Sequence, residues 1–101
     1  MSEFLLKLYV SGKTPRSERA IANLRRVCEE KLQGNYDLIV VDVLEQPHLA
    51  EVANIMATPT LIRELPAPFR RIIGDLSNGE RILVGLELEP RGEAAQETPA
   101  P

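Results

Sequence analysis

The stretch "GDLSNGERILVGLELE", Gly74 to Glu89, decides the fold, and it carries two opposed instructions. Ser77 followed three residues later by Glu80 is a capping box, in which the two side chains reciprocally satisfy backbone N–H groups at a helix start. Ile82, Val84, Leu86 and Leu88, however, alternate with other residues as a strand with one buried face would. The preceding segment has the same conflict. Leu65, Phe69, Ile72 and Leu76 recur at four, three and four residues, which is helical, whereas "RRIIGDL" reads as a short strand ending in a turn. Local preferences in a single-fold sequence usually agree. Here two explanations stand open: ordinary local ambiguity, or one sequence supporting two packings.

The half of the chain before this region is plainer. "FLLKLYV", residues 4–10, predicts a buried strand, and Thr14-Pro15 places an N-cap before proline at the first helical position. Ala20, Ile21, Leu24, Val27, Cys28 and Leu32 then share one helix face, and Gly34 is a natural stop. "YDLIVVDVL", residues 36–44, is dense in β-branched residues and predicts a second buried strand, completing a right-handed parallel βαβ unit. In "QPHLAEVANIM", residues 46–56, Leu49, Val52 and Ile55 fall at spacing three and predict a short amphipathic helix. The tail after Glu89 has prolines, small residues and charges without an apolar face. It is expected to be disordered, leaving one domain over residues 1–89.

Composition narrows the function classes. The 101 residues, 44% hydrophobic, suffice for one modest core, and oligomerisation would help a domain of this size. Cys28 is the only cysteine, so the chain can form neither an intrachain disulfide nor a two-thiol redox pair. Together with the absence of an apolar stretch of membrane-spanning length, this predicts a cytoplasmic protein that does not enter membranes. A net charge of −3, no tryptophan and four aromatic residues argue against nucleic-acid binding.

The chemistry-bearing residues do not assemble into a catalytic set. A βαβ start with a loop at residues 11–17 invites comparison with thioredoxin, whose cysteines occupy that loop, but here it reads "SGKTPRS". Without a thiol at the helix N-terminus there is no nucleophile to activate, and Cys28 lies midway along the apolar face, where a thiol is inert. "ATPTL", residues 57–61, resembles the segment carrying a cis-proline in thioredoxin-like folds; the ordinary alternative is a trans turn proline. His48 has no second histidine to complete a metal site, and Glu29-Glu30 and Glu87-Glu89 read as solvated charges. No glycine loop for phosphate is present, and we expect no cofactor, no metal and no enzymatic activity. Lys7, Arg19, Arg25, Arg26, Arg70 and Arg71 are either solubilising charges or a face for docking a protein.

Four stretches, "KLYVSGKTPRSERA", "VVDVLEQPHLAE", "ATPTLIRELPAPFRRIIGDLS" and "ILVGLELE", resemble the KaiB circadian-clock family over residues 4–89. The resemblance implies an α/β fold with a thioredoxin-like βαβ N-terminal half and a metamorphic C-terminal half spanning residues 50–89. In the family's ground state, a homo-oligomer such as a tetramer or dimer, residues 66–73 are helical and 81–87 form a strand. In the thioredoxin-like monomer these assignments exchange, and that form binds the N-terminal ATPase ring of the KaiC hexamer. Two packings separated by a few kcal/mol are physically reasonable.

The resemblance also implies residue roles. Lys7, Arg19 and Arg71 match basic positions associated with KaiC binding, with Arg70 beside them, and the helix over residues 47–56, which includes Pro47 and Asn54, matches part of the docking region. Pro59, Pro66 and Pro68 match prolines of the switching segment, where isomerisation could contribute to the barrier. Ser77 and Glu80 would cap a helix in the switched state, and Gly85 and Glu87 match positions that bias the balance between folds. Ile39 and Asn54 stand where cyanobacterial members have lysine, which speaks against KaiA as a partner; a clock histidine kinase is a further candidate. The alternatives are a fixed-fold thioredoxin-like adaptor and a redox enzyme, the latter disfavoured by the missing dithiol.

Overall fold

The computed structural model describes residues 3–74, 76, 81, 82 and 85. Ser77, Glu80, Glu87 and the tail from residue 90 lie outside the described residues, and with them the expected capping box and the expected disorder.

The elements in chain order are β1 (Phe4–Val10), α1 (Pro15–Leu32), β2 (Tyr36–Asp42), α2 (Pro47–Val52), β3 (Thr60–Leu65) and β4 (Arg70–Ile73). The four strands form one sheet in the order β2-β1-β3-β4. β1 pairs with β2 in parallel and with β3 antiparallel, and β3 pairs antiparallel with β4. The chain therefore folds outward from its first strand, which the run "FLLKLYV" makes apolar on the α1 face and, apart from Lys7, on the other.

α1 begins as its sequence dictates. Thr14 is extended, its hydroxyl accepts from the Ser17 N–H at 3.1 Å, and Pro15 fills the first helical position, where a missing N–H costs nothing. The helix closes at Gln33, which adopts the left-handed conformation at φ 52° ahead of Gly34 at φ 83°. Ala20, Leu24, Cys28 and Leu32 pack on Phe4, Leu6, Leu8 and Val10 of β1 and on Leu61 and Ile72. Truncating one fully buried leucine here, such as Leu24, should cost about 2–5 kcal/mol. On the opposite sheet face Tyr9, Val41 and Ile62 gather a smaller cluster with Val43, Ala53 and Ile55.

Residues 70–73 take the strand reading, turning away at Gly74, whose φ of 103° suits glycine and whose N–H donates to the Pro59 carbonyl at 2.9 Å. Arg81, Ile82 and Gly85 are helical, and Leu76 and Ile82 close the core beneath α1. These are the assignments of the thioredoxin-like arrangement.

Two expectations need correction. β2 is not a buried strand: it lies at the sheet edge with only Val41 buried, because β3 occupies the other side of β1. β-branched density signals a strand but not its position in the sheet. The second helix is shorter than its pattern and buries none of its residues. It stops at Val52, Asn54 turns left-handed at φ 59°, and Ile55 reaches the small cluster from the turn, leaving Leu49 and Val52 exposed.

Candidate partner-docking surface

The sheet face away from α1 carries the most organised set of charged side chains. The register aligns Ile39 of β2, Lys7 of β1, Ile62 of β3 and Arg71 of β4 in one row across all four strands. Lys7 and Arg71 are two strands apart, about 10 Å. Lys7 is drawn toward Glu64 at 3.3 Å, a partly exposed pair that contributes about 0–1 kcal/mol.

Arg71 has a second duty. Its two terminal nitrogens donate to the carbonyls of Asn54 and Ala53, each at 3.1 Å, and its guanidinium lies 5.8 Å from the Phe69 ring centroid. The planar fork suits two carbonyls, and the aromatic face favours the cation. Arg71 thus ties β4 to the turn after α2, where Asn54 sits. Pro47 opens that helix in the exposed first position. Leu49, Val52, Met56 and Ile73 are exposed around this face, supplying apolar contacts beside the two cations. Cations flanked by exposed apolar side chains are what a steered, then desolvated, protein contact requires.

Other sequence-selected residues lie apart from this row. Arg19 is exposed on α1, across the sheet. Arg70 pairs in register with buried Arg63, on the α1 side, and Arg63 Nη2 donates to the Pro68 carbonyl at 2.6 Å. The peptide bonds preceding Pro59, Pro66 and Pro68 are all cis. Pro59 is buried beside β3, and the other two lie in the β3–β4 connection. Gly85 stands over Ile72: a Cβ there would come within 2.7 Å of the isoleucine's Cδ1. Glu64, Phe69 and the Ala53 carbonyl escaped sequence reasoning. Glu64 could have been found from the alternation in β3, whereas the other two depend on a turn that spacing does not disclose.

The corner corresponding to a thioredoxin active site is a cleft of about 210 Å³ lined by Val10, Ser11, Thr14, Arg16, Ser17, Thr58 and Pro59. Ser11 Oγ and Thr58 Oγ1 share a hydrogen bond of 2.7 Å across it. The loop is held from the other side by Asp42, whose Oδ1 accepts from the N–H groups of Gly12 and Leu44, both at 2.9 Å. Those backbone donors hold the Asp42 carboxyl below its ordinary pKa. Cys28 is fully buried in the core, and burial, with smaller help from Glu29, pushes its thiol up to about 12. Among the described residues no group of three His, Cys, Asp or Glu side chains could hold a metal, and no helix is long and apolar enough to cross a membrane.

The KaiB domain family matches residues 7–88, the span that contains the sheet from Lys7 onward, α1, α2 and the row of Lys7 and Arg71. The chain belongs to the KaiB family. It is 51% identical over 92 residues to the circadian clock protein KaiB3 of Synechocystis sp., covering 91% of this chain and 90% of that one. It is also 58% identical over 85 residues to the circadian clock oscillator protein KaiB of a Synechococcus sp., covering 84% and 77%. Among solved structures, the N-terminal domain of Synechococcus elongatus SasA aligns with a TM-score of 0.75 at 21% identity, covering 99% of this chain and 91% of that domain. Mitochondrial thioredoxin 3 of Saccharomyces cerevisiae aligns at 0.67 and 17% identity, over 86% and 79%. At such identities these likenesses establish the fold: this KaiB-family chain has a thioredoxin-like one.

Proposed function

We propose that this KaiB-family chain is a non-enzymatic regulator of a circadian clock or simpler timer, binding the N-terminal ATPase ring of a KaiC hexamer after a slow change of fold. The observation that carries the proposal is the thioredoxin-like assignment, strand at Arg70–Ile73 and helix at Arg81, Ile82 and Gly85, in a stretch whose alternation at 82–88 equally suits a strand. The face bearing Lys7 and Arg71, bordered by α2, is the docking surface in this reading, with Arg19 and Arg70 as outlying contacts. The resting form is a homo-oligomer in which the two segments exchange conformations, and Ser77, Glu80, Gly85 and Glu87 adjust the balance.

Only the binding-competent form engages KaiC, so its population discounts the affinity. A gap of about 3 kcal/mol leaves that form at roughly 1% and weakens apparent binding about a hundredfold. Capture then proceeds at the pace of the switch, which converts a binding equilibrium into a delay. KaiA is left out of the proposed partners, since Ile39 and Asn54 replace the basic residues described above. A clock histidine kinase is a further proposed partner.

A second reading, a fixed-fold adaptor, is favoured by the likeness to the SasA N-terminal domain across nearly the whole chain. Backbone chemical shifts for residues 65–89, recorded alone and with the KaiC N-terminal ATPase domain, separate the two. Strand shifts at 81–87 turning helical while 66–73 goes the other way, over seconds to hours, are expected. Binding with unchanged shifts would leave the adaptor, and no binding would remove KaiC from the account.

A further inference from the structure

β3 contains one irregularity, and it lies against the candidate surface. Leu6 of β1 pairs with Arg63, but Leu5 pairs with Leu65, so Glu64 is an extra residue with no opposite number on β1. A bulge of this kind interrupts the ladder and re-aims a side chain. The side chain re-aimed here is a carboxylate, and its Oε2 lies 3.3 Å from the Lys7 ammonium nitrogen.

The two cations of the surface are held in opposite ways. Arg71 donates to two neutral backbone carbonyls and lies over a ring, so its position is fixed while its charge meets no acid among the described residues. Lys7 is met by an acid. Asp37, opposite Leu5 in the β1–β2 ladder, is exposed on the same face, yet the ion pair goes to Glu64. The Lys7 and Glu64 side chains keep 29% and 33% of their exposure. Water and salt reach the pair, and one carboxylate can be exchanged for another there at little cost.

We propose that Glu64 is an internal competitor on this surface: it occupies Lys7 in the free protein and is displaced when a carboxylate of the partner takes the ammonium. The contact then selects a partner surface with two acidic groups about 10 Å apart, one for Arg71 as it stands and one that displaces Glu64. A partner with a single carboxylate engages Arg71 and leaves the pair of Lys7 and Glu64 closed. Glu64 thus acts through Lys7, setting how strongly an acidic surface is held and how far one acid is told from two. The inference rests on the docking surface proposed above, with the KaiC N-terminal ATPase domain as the partner.

The test measures binding of the full chain to that domain at low and high salt, for the parent, Glu64→Gln, Lys7→Gln and the double variant. Backbone shifts at 70–73 and 81–85 give the fraction of each in the thioredoxin-like arrangement, and affinity is expressed per molecule in that form. Glu64→Gln should tighten binding about two- to fivefold and steepen its loss with salt, since one more cation is left for the partner. In the Lys7→Gln background the same change should gain less, because no ammonium remains to be released. Binding by the parent with Glu64→Gln unchanged or weaker, or an equal gain in both backgrounds, would overturn the competitor role and leave the docking surface standing. No binding by the parent would overturn the docking reading and this inference with it. Should Glu64→Gln fail to fold by circular dichroism, Glu64→Thr, whose branched side chain suits a strand, carries the same expectation.

Discussion

Gly85 offers a quantitative probe of how the C-terminal segment packs. The residue is helical and exposed, so Gly85→Ala should gain about 0.8–1.0 kcal/mol of helix propensity. The new Cβ, however, would lie 2.7 Å from Ile72 Cδ1 and 3.0 Å from its Cγ1, closer than carbon atoms tolerate. Ile72 is only 8% exposed and cannot swing away into solvent, so displacing it from its rotamer should cost about 0.5–1.5 kcal/mol. The single substitution should therefore come out near neutral. Ile72→Val removes the nearer clashing carbon and alone should cost about 0.5–1.5 kcal/mol. Combined, the alanine keeps its propensity gain with the nearer clash removed and only the γ-carbon contact at 3.0 Å left, giving a favourable coupling of about 0.5–1 kcal/mol in the double-mutant cycle. Denaturant unfolding of the four proteins measures it, with chemical shifts at 70–73 and 81–85 verifying that all four hold the thioredoxin-like arrangement. Additivity within about 0.3 kcal/mol would refute the placement of Gly85 over Ile72.

Two further outcomes are expected. Asp42, whose folded carboxyl lies below its ordinary pKa of 3.8, contributes stability that is complete above that value and is lost as pH falls through the lower folded one. Asp42→Asn keeps an oxygen for the Gly12 and Leu44 N–H groups but removes the charge. It should flatten the acid limb of the unfolding midpoint against pH, and an unaltered limb would contradict the assignment. Arg71→Lys retains a cation but not the fork to Ala53 and Asn54, so the urea midpoint should fall by an amount corresponding to about 1–2 kcal/mol. An unchanged midpoint would show that Arg71 is free for a partner and has no structural duty.

Much of the N-terminal half was legible in the sequence because each signal there has a single reading. Thr14-Pro15 can only begin a helix in that context, and the apolar positions from Ala20 to Leu32 define one face. What escaped was relational. Nothing in "YDLIVVD" states that β3 will occupy the far side of β1 and leave this strand at the edge. The period-three spacing of Leu49, Val52 and Ile55 could not reveal that Asn54 breaks the helix before the third. In the C-terminal half the helical spacing of Leu65, Phe69, Ile72 and Leu76 competed with the strand reading of residues 70–73, and tertiary pairing with β3 selected the strand. For the candidate surface, Lys7 and Arg71 could be singled out by charge, but their common row follows from register, which one strand's sequence cannot supply alone.

The order in which strands surround β1 bears on how the protein forms as it is made. The first strand must wait for both neighbours: Phe4 pairs with Tyr36, and Leu8 with Leu61. Such distant pairings slow folding, because loop closure precedes the contacts that reward it. A chain emerging from the ribosome at about 5–20 residues per second nevertheless has its first ladder partner seconds before β3 exists. The βαβ unit can thus assemble while the remainder is still being synthesised. β3 then arrives at a waiting strand edge, and the C-terminal half folds on a template laid down by the first 42 residues.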